Sequence, residues 1–146
     1  MRLLVQRSNN SKVTVDGKIT GQINFGLVVL VGFTTTDTYE DIKYLAKKLV
    51  NLRIFDDENH IMNKSVLDVN GSILSVSQFT LYADCKKGNR PSYCNAMKAD
   101  TASKMYDLFN EELRKYEIDV QCGIFQADML VNIENSGPVT ILLESE

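Results

Sequence analysis

The feature that most limits how this chain can fold is the run Leu27-Val28-Val29-Leu30-Val31, opened by Gly26. The run is apolar throughout and rich in β-branched residues, and it shows no alternation with polar ones. A strand of this kind must be covered on both faces, which predicts a place at the centre of a sheet.

The flanking sequence supplies partners. Residues 2–7 have a central apolar run, residues 12–15 alternate, and Asp16-Gly17 is a hairpin signal before residues 18–23. Further strands are predicted at 72–82, 119–123, 129–132 and 139–144. Tyr39, Ile42, Leu45, Ala46, Leu49 and Leu52 recur at helical spacing, with Asp37 or Thr38 as N-cap, which predicts a helix through Leu52. A second helix is predicted from Asp100 or Thr101 to Tyr116, burying Ala102, Met105, Tyr106, Phe109 and Leu113 and turning Glu111 and Glu112 outward. The stretch from Asp56 to Asn70 reads as turns. Strands outnumber helices in mostly hairpin-compatible order, so the expected fold class is α+β with an antiparallel or mixed sheet.

Size and composition set the outer limits. With 146 residues, 44% of them hydrophobic, residues 1–146 suit a single domain that buries roughly 70% of the surface its unfolded chain exposes. No apolar stretch approaches the roughly 20 residues needed to span a bilayer. Met1-Arg2-Leu3-Leu4-Val5 leads into a strand pattern without a signal-peptide cleavage site. The expectation is a cytoplasmic protein with no membrane partner. The three cysteines, Cys85, Cys94 and Cys122, form no C-x-x-C pair, which argues for reduced thiols and against a disulfide framework or a zinc knuckle. A formal charge of −3 disfavours a protein that coats nucleic acid indiscriminately. Even so, Lys86, Lys87 and Arg90 bracket Gly88-Asn89 and Lys98 follows, so this basic loop is either a solvated turn or a holder of a few phosphates.

Two segments break the local rules of a strand. In Ser77-Gln78-Phe79-Thr80, polar groups gather directly after the apolar run Ile73-Leu74-Ser75-Val76. In Asn135-Ser136-Gly137-Pro138-Val139-Thr140, proline removes a ladder donor and glycine permits close backbone approach. Such departures tend to mark function.

The familiar hydrolytic machinery is missing. The single histidine, His60, sits in a polar turn, and nothing near it resembles a nucleophile elbow. His and Cys residues are too few and scattered for a metal site, so neither a metal nor an organic cofactor is expected. Thr80 is a conceivable nucleophile, but an unassisted threonine hydroxyl is weak and no base adjoins it in sequence. The other route is a substrate that supplies its own assistance while the protein orients it.

Segments spread across the whole chain resemble, in order, the D-aminoacyl-tRNA deacylase family. They are Arg2-Leu3-Leu4-Val5-Gln6-Arg7, Asn51-Leu52-Arg53-Ile54-Phe55, Met62-Asn63, Gln78-Phe79-Thr80-Leu81-Tyr82-Ala83-Asp84, Lys87-Gly88-Asn89-Arg90-Pro91-Ser92-Tyr93, Ala127-Asp128-Met129 and Gly137-Pro138-Val139-Thr140. The departures are Thr34-Thr35-Thr36, where charged and Gly residues are usual, Gln126 in place of a small residue, and Ser136 where an acid is common.

The resemblance implies a curved β-sheet structure with packed helices that works as a homodimer on the 3′ end of aminoacyl-tRNA. It implies a tRNA-editing hydrolase that frees tRNA from D-amino acids, with the vicinal ribose hydroxyl of the substrate assisting attack. Ser77, Gln78, Phe79 and Thr80 would then form the catalytic segment. The backbone N–H groups of Phe79 and Thr80 would hold the carbonyl oxygen, and Ser77 and Gln78 would orient the terminal adenosine. Only about 5–6% of X-Pro bonds in folded proteins are cis, so the residues alone favour trans at Gly137-Pro138, whereas the resemblance implies cis. It further implies that Gly137 and Pro138 aim two carbonyl oxygens into the partner subunit's pocket to reject L side chains, with Arg7 locking them. Glycine has no side chain to reject, so glycyl-tRNA, including glycine misplaced on alanine tRNA, is an expected substrate. Two rivals stay open: a non-catalytic RNA-binding module on the same fold, and a generic small-molecule esterase.

Overall fold

The apolar run of residues 27–31 lies where its composition demands. Strands β1 (Arg2–Ser8), β4 (Gly26–Gly32), β7 (Ser72–Ser77), β8 (Val120–Cys122) and β10 (Asn135–Glu144) form a five-stranded sheet in the order β10-β1-β4-β7-β8, with β4 in the middle. Strand β1 runs antiparallel to both β10 and β4, whereas β4, β7 and β8 are mutually parallel, so the sheet is mixed. The structure is a computed structural model and describes residues 1–145.

Successive β4 side chains point to opposite faces. Leu27, Val29 and Val31 enter one core cluster with Ile42, Leu45, Leu49 and Phe109, beneath helices α1 (Tyr39–Val50) and α2 (Ala99–Arg114). Val28 enters a second cluster with Val13, Ile23, Leu74 and Val76. This second core is closed by the antiparallel sheet β3-β2-β9, formed by β2 (Ser11–Val15), β3 (Lys18–Ile23) and β9 (Leu130–Asn132). The result is three layers: helices, mixed sheet, small sheet. Each fully buried Val or Leu in β4 contributes roughly 1.5–3 kcal/mol, which is why period-2 alternation is absent there.

The parallel approach of β4 to β7 depends on Gly26, which pairs with Ser72. Its φ is +142°, and a Cβ there would lie 1.9 Å from the Ser72 carbonyl oxygen. No side chain fits that space.

Helix α1 begins at Thr38 as N-cap, where the Asp41 carboxylate accepts the Thr38 N–H at 2.7 Å and its hydroxyl at 2.9 Å. Burial opposes the charge on Asp41, yet these bonds outweigh it and hold the carboxyl below the usual range. The helix stops at Val50 rather than Leu52, because Asn51 leaves helical geometry and its amide donates back to the Lys47 carbonyl at 2.8 Å. Helix α2 ends at Arg114, two residues before the expected Tyr116.

Two expectations need correction. Glu112 does not point outward: it is buried, accepting the Tyr39 hydroxyl at 2.7 Å and the Lys115 ammonium at 2.6 Å. Lys115 and Tyr39 together hold its carboxyl below the ordinary value of 4.5. The helical wheel of α2 could not show this, since Tyr39 comes from the start of α1, and its ring stays partly in solvent rather than joining the core. The turn-rich stretch also contains a short antiparallel pair, β5 (Phe55–Asp56) and β6 (Met62–Lys64), anchored by buried Phe55 edge-on to Phe25.

Candidate active site

The predicted strand 72–82 is shorter than expected, and the break forms the site. The last β7 residue, Ser77, pairs with Val31, and the Gln78 N–H still reaches the Val31 carbonyl at 2.7 Å. Beyond Gly32 the chain pairs with residues 96 and 97 instead, through the Phe33 carbonyl and Thr34, and after Gln78 the other strand turns into a 3₁₀ segment, Phe79–Tyr82. The first N–H groups of such a segment have no partner within it. Among the described residues, the N–H groups of Phe79 and Thr80 donate to no acceptor, while Leu81 N–H returns to Gln78 O at 3.3 Å.

Phe79, the first of these donors, borders a cleft of about 700 Å³ between the end of β7, the start of α2 and the segment before β9, and Thr80 follows it directly in the chain. Val31, Val76, Phe125 and Met129 make its walls mainly apolar; Ser77, Gln78, Lys98 and Gln126 bring polar groups to it. Phe79 is 56% exposed at the mouth, with Tyr93 packed edge-on at 5.0 Å between ring centroids. Thr80 is not part of the cleft wall, and its hydroxyl accepts a hydrogen bond from the Gln78 amide. An amide donor cannot remove a proton from that hydroxyl. His60 is an exposed turn residue with φ +62° and lies outside the cleft.

Gly137, Pro138 and Arg7 do not line this cleft. Along the β1–β10 pair the register passes from Gln6↔Thr140 to Ser8↔Asn135, so the residues around Gly137-Pro138 bulge out of the ladder. The bond between Gly137 and Pro138 is cis, and both residues are exposed. Strand β10 therefore starts at Asn135 and contains the Gly-Pro segment, rather than starting at the expected Val139.

Arg7 secures the bulge from beneath. Its Nε donates to the Ser136 carbonyl at 3.1 Å and its Nη1 to the Ile54 carbonyl at 3.0 Å, with the Asp56 carboxylate 3.5 Å away. Gly137 has φ +122°, and a Cβ there would lie 2.9 Å from Arg7 Nη2. The Ser136 departure is neutral toward this clamp, because Arg7 reads its backbone carbonyl.

Two cleft residues, Ala96 and Met97, carried no signal in sequence, whereas Tyr93 closes a segment that the family resemblance marks. Tyr93, Ala96 and Met97 reach the cleft because Thr34 pairs with Ala96, the Thr34 hydroxyl donates to the Asn95 carbonyl at 2.6 Å, and Met97 N–H bonds the Phe33 carbonyl at 3.0 Å. The unusual Thr34 thus helps hold the cleft wall. Gln126 enters the cleft with φ +63°.

No helix of the described residues is long and apolar enough to cross a membrane. The D-Tyr-tRNA(Tyr) deacylase family matches residues 4–144. D-aminoacyl-tRNA deacylases of Bacillus cytotoxicus and Bacillus cereus are each 56% identical over 146 residues, spanning the full length of both chains. A solved structure described as c-Myc DNA Unwinding Element Binding Protein superposes with a TM-score of 0.94 at 42% identity, covering 100% of this chain and 99% of that one. A probable eukaryotic D-amino acid tRNA deacylase shares the fold, with a TM-score of 0.84 at 18% identity over 97% of each chain. The α+β fold and these relatives define a tRNA-editing hydrolase. The chain belongs to the D-aminoacyl-tRNA deacylase family and is a D-aminoacyl-tRNA deacylase by activity.

Proposed function

We propose that this enzyme is a cytoplasmic, single-domain homodimer in which the cleft of one subunit receives the 3′-terminal aminoacyl-adenosine and the Gly137-Pro138 bulge of the other subunit tests its chirality. Phe79 and Thr80 N–H groups hold the ester carbonyl oxygen as charge develops on it. Fixed backbone donors of this kind can remove several kcal/mol of barrier without a side-chain base. Ser77 and Gln78 orient the adenosine, and the vicinal ribose hydroxyl of the substrate positions or activates the attacking water.

The observation that supports this reading is that the cleft and the Gly137-Pro138 bulge lie apart within one chain. The cleft is bordered by the free Phe79 N–H, its lining residues include no carboxylate or histidine, the Thr80 hydroxyl beside it is taken by the Gln78 amide, and the clamped Gly137-Pro138 bulge is exposed outside the cleft. Strand β10 is a sheet edge with Leu142 49% exposed, a surface a second copy can cover. With the carbonyls of the bulge facing the α-carbon, hydrogen passes and an L side chain collides. Glycine passes on either side, so glycyl-tRNA(Ala) is a second substrate.

The test compares D-tyrosyl-tRNA, L-tyrosyl-tRNA, glycyl-tRNA, L-alanyl-tRNA and a simple D-tyrosine ester. The reading requires cleavage of the first and third and protection of the two L-esters. It also requires a loss of about a hundredfold or more when the terminal ribose lacks its 2′-hydroxyl, the scale of a lost acid–base contribution. Equal protection of glycyl- and L-alanyl-tRNA would sink the steric filter. Cleavage of the simple ester as fast as the tRNA ester would favour a generic esterase.

A further inference from the structure

Residues 85–98 carry four cations, Lys86, Lys87, Arg90 and Lys98, and no carboxylate, in a chain of net charge −3. All four are exposed. Among the described residues none of these side chains makes a salt bridge or a hydrogen bond. Arg2, Arg7, Lys43, Lys64 and Lys115 each face a carboxylate instead. The nearest acid, Asp84, turns its carboxylate to the backbone N–H of Lys86 at 2.9 Å rather than to an ammonium.

The fold places Lys98 at the cleft and closes the loop that bears the other three next to a residue of the cleft mouth. Asp84 and Ser92 exchange backbone bonds of 2.8 and 2.9 Å, which closes the base of a loop bearing Lys86, Lys87 and Arg90. The residue after that closure is Tyr93, in edge contact with Phe79 at the mouth, and Lys98 lines the cleft itself. Phe79 and Tyr93 are 56% and 41% exposed, so an exposed aromatic pair shares the cleft with unpaired Lys98, and its Tyr93 directly follows the basic loop in the chain. That combination is what a single-stranded nucleic acid needs: ring faces for bases and positive charge for phosphates. Like charges crowded without partners are unfavourable until a polyanion neutralises them.

We propose that the loop of residues 84–92 together with Lys98 is a phosphate track for the single-stranded 3′ end of tRNA, with Lys98 meeting the phosphate nearest the cleft and Lys86, Lys87 and Arg90 meeting the nucleotides before it. The track rests on the functional reading above, since its occupant is the strand that carries the ester. It supplies affinity and leaves the chemistry to the 3₁₀ segment.

The test uses a combined Lys86→Gln, Lys87→Gln, Arg90→Gln variant, its Lys→Arg counterpart at 86 and 87, and a separate Lys98→Gln variant. Fluorescence anisotropy measures binding of an unacylated single-stranded RNA ending in CCA across a salt series. In parallel, kcat/KM is measured for D-tyrosyl-tRNA and for phosphate-free 3′-O-D-tyrosyl-adenosine. Each lost phosphate contact lowers the slope of log affinity against log salt by about 0.7 for single strands, so the triple Gln variant should lose about 2 from the slope. Its kcat/KM for the tRNA relative to the adenosine ester should fall at least about tenfold, mainly through KM. Lys98→Gln should lose about 0.7, and the Arg counterpart should keep the wild-type slope. An unchanged slope in the triple variant, or equal loss on both substrates, would overturn the track. Absence of D-tyrosyl-tRNA hydrolysis by the wild type would overturn the functional reading alone, because the anisotropy needs no turnover.

Discussion

Replacing Arg7 by Ala separates the chirality filter from catalysis. Arg7 bonds the Ser136 and Ile54 carbonyls at 3.1 and 3.0 Å, while its Asp56 partner is 48% exposed at 3.5 Å. Hydrogen bonds from a charged donor contribute about 1.5–3 kcal/mol each, and a half-exposed ion pair adds less than about 1 kcal/mol. Truncation should therefore cost about 3–6 kcal/mol of stability and leave the Ser136 carbonyl, next to the bulge, without its clamp. A wall that yields resists an intruding side chain by only about 1–3 kcal/mol, or about 5- to 150-fold in rate. Deacylation of D- and L-tyrosyl-tRNA, measured where urea titration shows the variant folded, should give L-hydrolysis that rises toward that ceiling while D-hydrolysis stays within about threefold. Arg7→Lys should fall between the two, since an ammonium lacks the planar fork that spans both carbonyls. Equal loss of D- and L-hydrolysis would refute the locking role and make Arg7 a general structural support.

Thr80→Ala removes a hydroxyl already occupied by Gln78, so D-tyrosyl-tRNA hydrolysis should drop by less than about a hundredfold; a fall beyond about a thousandfold with tRNA binding intact would restore Thr80 as nucleophile. Gly26→Ala forces a Cβ to within 1.9 Å of the Ser72 carbonyl and should cost more than about 4 kcal/mol, read as loss of soluble folded protein or a collapsed urea midpoint. Tyr39→Phe should cost about 1 kcal/mol at neutral pH. The Glu112 carboxyl is held below 4.5, so its contribution is full above the unfolded value and lost as pH falls through the folded one. The wild-type advantage over Tyr39→Phe should accordingly shrink in acid-unfolding curves, and a constant difference down to the acid transition would contradict the hydrogen bond to ionised Glu112.

Strands, helices and motifs were legible where local chemistry decides them. The unbroken apolar run at residues 27–31 required cover on both faces, and it lies between two cores at the sheet centre. The spacing of Ile42, Leu45, Ala46 and Leu49 required a helical face, and all four are buried. The tertiary structure alone decided where β7 ends, because the chain beyond Gly32 pairs with the remote residues 96 and 97 rather than continuing beside β7. It also decided that Glu112 is buried, through a hydroxyl delivered by another helix, and that Arg7 reaches Ser136 and Ile54. Periodicity reports which face of an element is apolar; it carries no record of which backbone groups are left unpaired when remote segments meet, and the free donors of Phe79 and Thr80 arise from that meeting.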